Sequence, residues 1–155
     1  MSKIPVGVLG ATGAVGQKFV LLLENHPWFE LRELAASERS AGHRYGDIVS
    51  WKQAAPLPEA ASALEVRTCE ANLDCPIVFS GLDSSVAGEI ETEFAGKGYW
   101  VFSNAQNHRM EPDVPLLIPE LNTNHLDIIP RQRKNHNWSG AIVTNANCSS
   151  IVLAL

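Results

Sequence analysis

Residues Val6-Gly7-Val8-Leu9-Gly10-Ala11-Thr12-Gly13-Ala14-Val15-Gly16 join a short apolar run to glycines at 10, 13 and 16. Gln17-Lys18-Phe19-Val20-Leu21-Leu22-Leu23 follows with the repeat of an amphipathic or buried helix. The order is strand, tight turn, helix. Gly-x-x-Gly-x-x-Gly at that place is close to the dinucleotide-binding fingerprint. The chemistry needs glycine because the backbone must turn sharply, approach a pyrophosphate and let helix and strand pack closely. Free N–H groups and the positive end of the helix dipole then face the phosphates. The bland alternative is an ordinary glycine-rich connection. Its position at the head of a strand–turn–helix unit favours cofactor binding.

The rest of the chain alternates in the same way. Strands are predicted at Ile4–Leu9, 31–36, 77–81, 99–103 and 141–144, with an edge strand over 64–69 and a brief apolar run at 116–118. Helices are predicted over 14–25 (ended by Pro27), 84–97 (capped by Ser84 or Ser85) and 122–132, the last ending near Ile129 because of Pro130. Such alternation argues an α/β fold: a Rossmann-like, doubly wound, mostly parallel sheet. At 155 residues the chain is about one domain. The apolar run Ile151-Val152-Leu153-Ala154-Leu155 has no cap and no polar tail, so the expectation is an N-terminal piece of a longer protein.

Composition removes several function classes. The net charge of -5 speaks against nucleic acid, and the cluster Arg131, Arg133, Lys134 reads as the solvated end of a helix. No segment reaches the ~18 apolar residues of a membrane span. A strand begins within four residues of the start, which leaves no room for a signal peptide. The three cysteines, Cys69, Cys75 and Cys148, lack metal spacing and fit a reducing, cytoplasmic setting, and no histidine has metal spacing either.

Three stretches carry chemistry. After the second strand come Ser37, Glu38, Arg39 and Ser40. The guanidinium of Arg39, flanked by hydroxyls, suits a ribose 2′-phosphate and favours NADP over NAD, although Glu38 stands near the acidic position of NAD-specific folds. Asn145-Ala146-Asn147-Cys148-Ser149-Ser150 follows a buried strand and opens a helix. There the helix dipole would stabilise a Cys148 thiolate suited to acyl-enzyme chemistry, with Asn147 orienting groups or donating to an oxyanion. A small buried cysteine in a turn is the competing reading. Ser103-Asn104-Ala105-Gln106-Asn107-His108-Arg109-Met110 leaves the C-terminal end of a strand, where open α/β sheets bind ligands. Arg109 suits a phosphate or carboxylate. His108 reads as an acid–base group or, more commonly, a hydrogen-bonding spacer. Cys69 and Cys75 read as structural.

Five motifs together, Gly10–Gly16, Ser37–Gly42, Ser103–Met110, Leu117-Ile-Pro-Glu-Leu-Asn122 and Thr144-Asn-Ala-Asn-Cys-Ser149, resemble the aspartate-semialdehyde dehydrogenase family, nearest its fungal and archaeal branch. The resemblance implies NADPH-dependent reductive dephosphorylation of L-aspartyl 4-phosphate to the semialdehyde and inorganic phosphate, on the route to threonine, methionine, isoleucine and lysine. It implies Cys148 as the nucleophile with Asn147 beside it, and Arg109 as the phosphate-binding arginine. It places Thr12–Val15 on the pyrophosphate, Ser37, Arg39 and Ser40 on the 2′-phosphate, and Ser80 and Asn104 along the cofactor, Asn104 near the nicotinamide. Residues 1–147 would form the NADP-binding domain, and 148–155 would start the helix into a second, α+β catalytic and dimerisation domain that this chain lacks. The acid–base histidine would lie there, the whole enzyme would be a homo-oligomer (dimer or tetramer), and the 155-residue piece would not turn over by itself. N-acetyl-γ-glutamyl-phosphate reductase and archaeal malonyl-CoA reductase share the logic. A dinucleotide-sensing domain with an inert Cys148 is the alternative outside enzymes.

Overall fold

A computed structural model describes residues 2–146. The helix expected from Ser149, and the sites Asn147 and Cys148, lie outside the described residues.

Six apolar-rich residues form β1 (Ile4–Leu9), and α1 (Ala14–Leu23) follows. The helix stops short of Pro27, with Asn25 turned into the left-handed region at φ 53°. β2 (Phe29–Ala36) starts two residues earlier than its pattern suggested. The weakly patterned excursion that follows holds two single-turn helices, α2 (Tyr45–Ile48) and α3 (Glu59–Ser62), and ends in a short edge strand, β3 (Val66–Thr68). Then come β4 (Ile77–Ser80), α4 (Ser84–Gly96) and β5 (Trp100–Ser103). After the polar loop, β6 (Leu116–Leu117), a 3₁₀ helix (Thr123–Ile128), α5 (Ile129–His136) and β7 (Ala141–Asn145) complete the chain as described.

All pairings between these strands are parallel, in the order β3-β2-β1-β4-β5-β7-β6. The winding reverses between β1 and β4. The crevice beyond their C-terminal ends is therefore the ligand position of an open α/β sheet. Side-chain alternation splits the core. Val6, Val8 and Leu34 pack with Val20 and Leu23 of α1 and with Tyr45, Ala61 and Val66. Leu9, Val78, Val101 and Ile142 face the opposite way, onto Phe94 and Ala95 of α4. Ile129 of α5 covers Ala141 and Val143.

Three local expectations are corrected. The cap of α4 is Asp83, whose carboxylate accepts the Ser85 amide at 2.9 Å and is held below its ordinary pKa by that bond. Pro130 opens α5 rather than closing a helix. A proline in the first turn lacks only an N–H that has no intrahelical partner there. α5 ends instead at Asn137, in the left-handed region at φ 56°. Nor is the basic cluster uniformly solvated. Arg133 is half-buried, 4.9 Å over the Trp100 ring, and donates to the Gly140 carbonyl at 2.9 Å, while Arg131 donates to Pro112.

Buried Gln132 extends the sheet where β6 is too short to do so. Its side-chain amide donates to the Ile142 carbonyl at 3.0 Å and accepts the Ile142 N–H at 2.9 Å, so that residue's backbone is paired as if by another strand. Cys75 is buried against Gly7, and burial together with Glu33 and Asp74 pushes its thiol up to about 12, in keeping with a packing role.

Candidate functional site: a crevice along the C-terminal sheet edge

The turn after β1 is built on backbone contact. Gly10 sits at φ +71°, and a Cβ there would lie 2.8 Å from the Gly81 carbonyl oxygen. A Cβ on Gly81 would lie 2.8 Å from the Gly16 nitrogen, and one on Gly16 would run into the Gly10 carbonyl. Gly10, Gly16 and Gly81 thus interlock, which seats the N-terminus of α1 against the β1–β4 reversal. Gly13 differs: it is the exposed N-cap of α1, gives no side-chain cap, and leaves the first-turn amides open. Thr12 is half-buried beside it, and Ala14 and Val15 are exposed at the rim.

Two buried side chains brace this turn from the rear. Tyr45 donates its hydroxyl to the Ala11 carbonyl at 2.7 Å, and burial pushes its phenol well above the usual range. Gln17 donates to the Thr12 and Ser50 carbonyls at 2.9 and 3.0 Å and accepts the Lys52 amide at 2.7 Å. Neither stood out as functional in the sequence. Gln17 does carry a signal, a polar residue within the buried stripe Gly16, Gln17, Val20, Leu23 of α1.

Beside the turn, a cleft of about 430 Å³ opens between the ends of β2 and β3 and the start of α4. Ser37, Glu38, Cys69, Leu82, Val86 and Ile90 line it. Polar groups stand on one wall and apolar side chains on the other, as a planar base with its ribose requires. Ser37, on the cleft wall, and Arg39, two residues on, are exposed, Ser40 is half-buried, and Arg39 makes no ion pair among the described residues. Glu38 lines the cleft, so it faces the same space as Ser37.

On the other side of the reversal, Asn104, Arg109 and Asn145 meet at the ends of β5 and β7. Asn145 Nδ2 donates to Asn104 Oδ1 at 2.8 Å, and Arg109 Nη2 donates to the Asn104 carbonyl at 2.8 Å and lies 3.5 Å from Asn145 Oδ1. The Nε of Arg109 is buried and has no partner among the described residues. A half-buried guanidinium with spare donors is an anion site in waiting. Asn145 joins this group although only its neighbours were singled out from sequence.

Ser80 lies at the end of β4, but its hydroxyl turns inward. It is fully buried and donates to Glu91 at 2.6 Å, as Ser103 does at 2.8 Å. His108 is also buried, 3.6 Å from Glu91 through Nε2 and 2.7 Å from Glu111 through Nδ1. Farther out, His136, Asp113 and Glu111 bring ligand-type atoms within 4.8 Å. Asp113 already accepts from Asn135 at 2.8 Å and faces His136 at 3.2 Å, and these partners hold its carboxyl below the usual range.

The structure thus lays the sites out in strand order. Ser37 follows β2, the glycine turn follows β1, Ser80 ends β4, Asn104 follows β5, and Asn145 ends β7. Four interstrand steps of about 4.8 Å separate the first from the last, roughly 19 Å across the sheet. That is long enough for an extended ligand to run from the Leu82 side of the cleft to Arg109. Among the described residues no helix is long and apolar enough to cross a membrane.

The family model for the semialdehyde dehydrogenase NAD binding domain matches residues 5–129. The aspartate-semialdehyde dehydrogenase of Archaeoglobus fulgidus is 52% identical over 154 residues, 99% of this chain and 45% of that protein. That of Aspergillus fumigatus is 53% identical over 152 residues, 96% of this chain and 42% of that protein. The chain therefore spans less than half the length of these curated relatives. The crystal structure of the Candida albicans enzyme with NADP superimposes with a TM-score of 0.89 at 46% identity, covering 97% of this chain and 44% of that one.

Proposed function

The chain belongs to the semialdehyde dehydrogenase NAD-binding domain family, and from that premise we propose that it forms the dinucleotide half of an NADP-dependent aspartate-semialdehyde dehydrogenase. The observation that carries this reading is the Asn104–Arg109–Asn145 group. It joins the loop after β5 to Asn145, the last residue of the strand that leads in sequence to Asn147 and Cys148. The crevice fits the cofactor, since a turn stripped of side chains at Gly10, Gly16 and Gly81 presents uncapped helix amides. When bound, NADPH supplies the hydride.

In this reading the Cys148 thiolate attacks the acyl carbon of L-aspartyl 4-phosphate. A C–S bond forms, the C–O bond to phosphate breaks, and inorganic phosphate leaves on Arg109, whose spare N–H groups offset its charge. The thioester on Cys148 would present its carbonyl carbon to the hydride that the bound cofactor would supply. The resulting oxyanion re-forms the carbonyl and expels the thiolate, giving the semialdehyde. Asn147 supports the oxyanion, and Asn104 holds the nicotinamide end through its link to Asn145. Arg39, Ser37 and Ser40 meet the 2′-phosphate at the other end.

Single-turnover acylation tests the proposal. Intact protein mixed with aspartyl phosphate without NADPH is expected to release one phosphate per chain and to gain an aspartyl mass on Cys148. Absence of both, with NADP binding intact, would leave the dinucleotide-sensing alternative standing.

A further inference from the structure

Glu91 sits on α4 in the stripe Ala87, Glu91, Phe94, Ala95 that faces the sheet. An ionisable residue in an apolar stripe is costly to keep, because a well-packed apolar side chain there is often as stable or more so. Its partners show where the cost is spent. One carboxyl oxygen accepts the hydroxyls of Ser80 and Ser103, the last residues of β4 and β5. The other accepts no hydrogen bond among the described residues and lies 3.6 Å from His108 Nε2, itself buried and unpartnered there. His108 Nδ1 reaches Glu111 at 2.7 Å. The Ser103 hydroxyl also accepts the Ala105 amide at 3.1 Å.

The network therefore ends on a loop rather than within the core. It grips residues 104–111 at Ala105, His108 and Glu111, and Arg109 is the next residue after His108. We propose that Glu91 and His108 are positioning residues that lock this loop onto the ends of β4 and β5, so that Asn104 and Arg109 are set for the phosphoryl anion. The assignment rests on the functional reading above, because it takes Arg109 as the anion's ligand. The loop is anchored by a buried clamp, hydrogen-bonded at Ser80, Ser103 and Ala105 and closed by the 3.6 Å approach of Glu91 to His108, while Arg109 stays half-exposed.

Calorimetric titration of the intact protein with inorganic phosphate tests the clamp without requiring turnover. His108→Leu and Glu91→Leu are each expected to weaken phosphate binding about tenfold while NADP affinity stays within about twofold. Glu91→Gln, which keeps an acceptor for both serine hydroxyls and offers His108 Nε2 an N–H, is expected to keep phosphate affinity within about twofold of the wild type; Ser103→Ala, which cuts the Glu91 and Ala105 links with a smaller change, is expected to weaken it and serves if the leucine variants fold poorly. On an Arg109→Met background, His108→Leu is expected to add no further loss. Phosphate affinity unchanged in the variants that cut the network, a glutamine variant as weak as the leucine one, losses shared equally by phosphate and NADP, or effects of His108 and Arg109 that add would each overturn the clamp. A wild-type protein that binds phosphate through Arg109 but shows no phosphate-dependent NADP reduction would overturn the enzymatic reading and leave the clamp intact.

Discussion

The glycines of the first turn make opposite demands, and alanine at two of them separates folding from binding. On Gly16 a Cβ would meet the Gly10 carbonyl and lie 2.7 Å from Ala11 Cα and 2.7 Å from the Gly10 carbonyl carbon. Carbon atoms rest at about 3.5–4.0 Å. The obstructing atoms are backbone, so no side-chain rotation relieves them. Gly16→Ala is expected to cost about 2–3 kcal/mol, in the upper range of overpacking. At about 2–4 °C per kcal/mol for a chain of this size, Tm should fall by roughly 4–12 °C. On Gly13 the same Cβ would meet only the Gly10 oxygen, at 3.3 Å, and the residue has φ −76°, which alanine adopts freely. Its stability change should stay within about 1 kcal/mol, a poorer N-cap offsetting a less flexible unfolded chain. Its methyl group, however, would occupy the exposed approach of the pyrophosphate. NADPH affinity should drop at least about tenfold, or 1.4 kcal/mol. Thermal melts and NADPH fluorescence titrations of the two variants read both quantities. A Gly16→Ala protein that melts with the wild type, or a Gly13→Ala protein that binds NADPH equally well, refutes the reasoning.

Tyr45→Phe removes the donor to the Ala11 carbonyl and leaves a buried acceptor unpaired, so urea denaturation should show a loss of about 1–3 kcal/mol. Burial raises the Glu91 carboxyl above its ordinary 4.5, so the folded protein keeps a proton that the unfolded chain releases. Stability is then full below that ordinary value and declines as pH climbs through the raised one; denaturation midpoints at pH 5 and pH 8 should show Glu91→Gln gaining on the wild type toward pH 8. Cys75, buried and with its thiol near 12, should resist iodoacetamide in the folded protein, whereas Cys69, on the wall of the 430 Å³ cleft, should be labelled slowly and be protected by NADP. Peptide mapping by mass spectrometry distinguishes the two.

The elements were legible where they rest on local pattern. β1 and the start of α1 follow from an apolar run meeting glycines, and the alternation of strands with helices implied the parallel sheet. Errors arose where one residue type serves two local roles. Pro130 was read as a helix stop because proline excludes the preceding residue from helix, yet it equally suits a first turn. Asp83, Ser84 and Ser85 are all competent caps, and only the geometry selects Asp83. What stayed hidden is what the crossovers bring together. Gly81 touches Gly10 and Gly16 only because β4 lies beside β1, and Tyr45 reaches Ala11 from an excursion with little pattern of its own. Ser80 was expected along the cofactor, but no local signal shows that its hydroxyl turns toward a glutamate eleven residues later. The pairing of Asn104 with Asn145 likewise depends on β5 lying next to β7.

The central claim is that a dinucleotide and a phosphoryl anion meet at the ends of β5 and β7, and the rate of NADP reduction by aspartate semialdehyde as inorganic phosphate is varied tests it most directly. The account predicts, for the intact protein, a rate that rises and saturates with phosphate, falls at low phosphate in Arg109→Met, and vanishes in Cys148→Ser. A rate that ignores phosphate, or one that survives in Cys148→Ser, would contradict it.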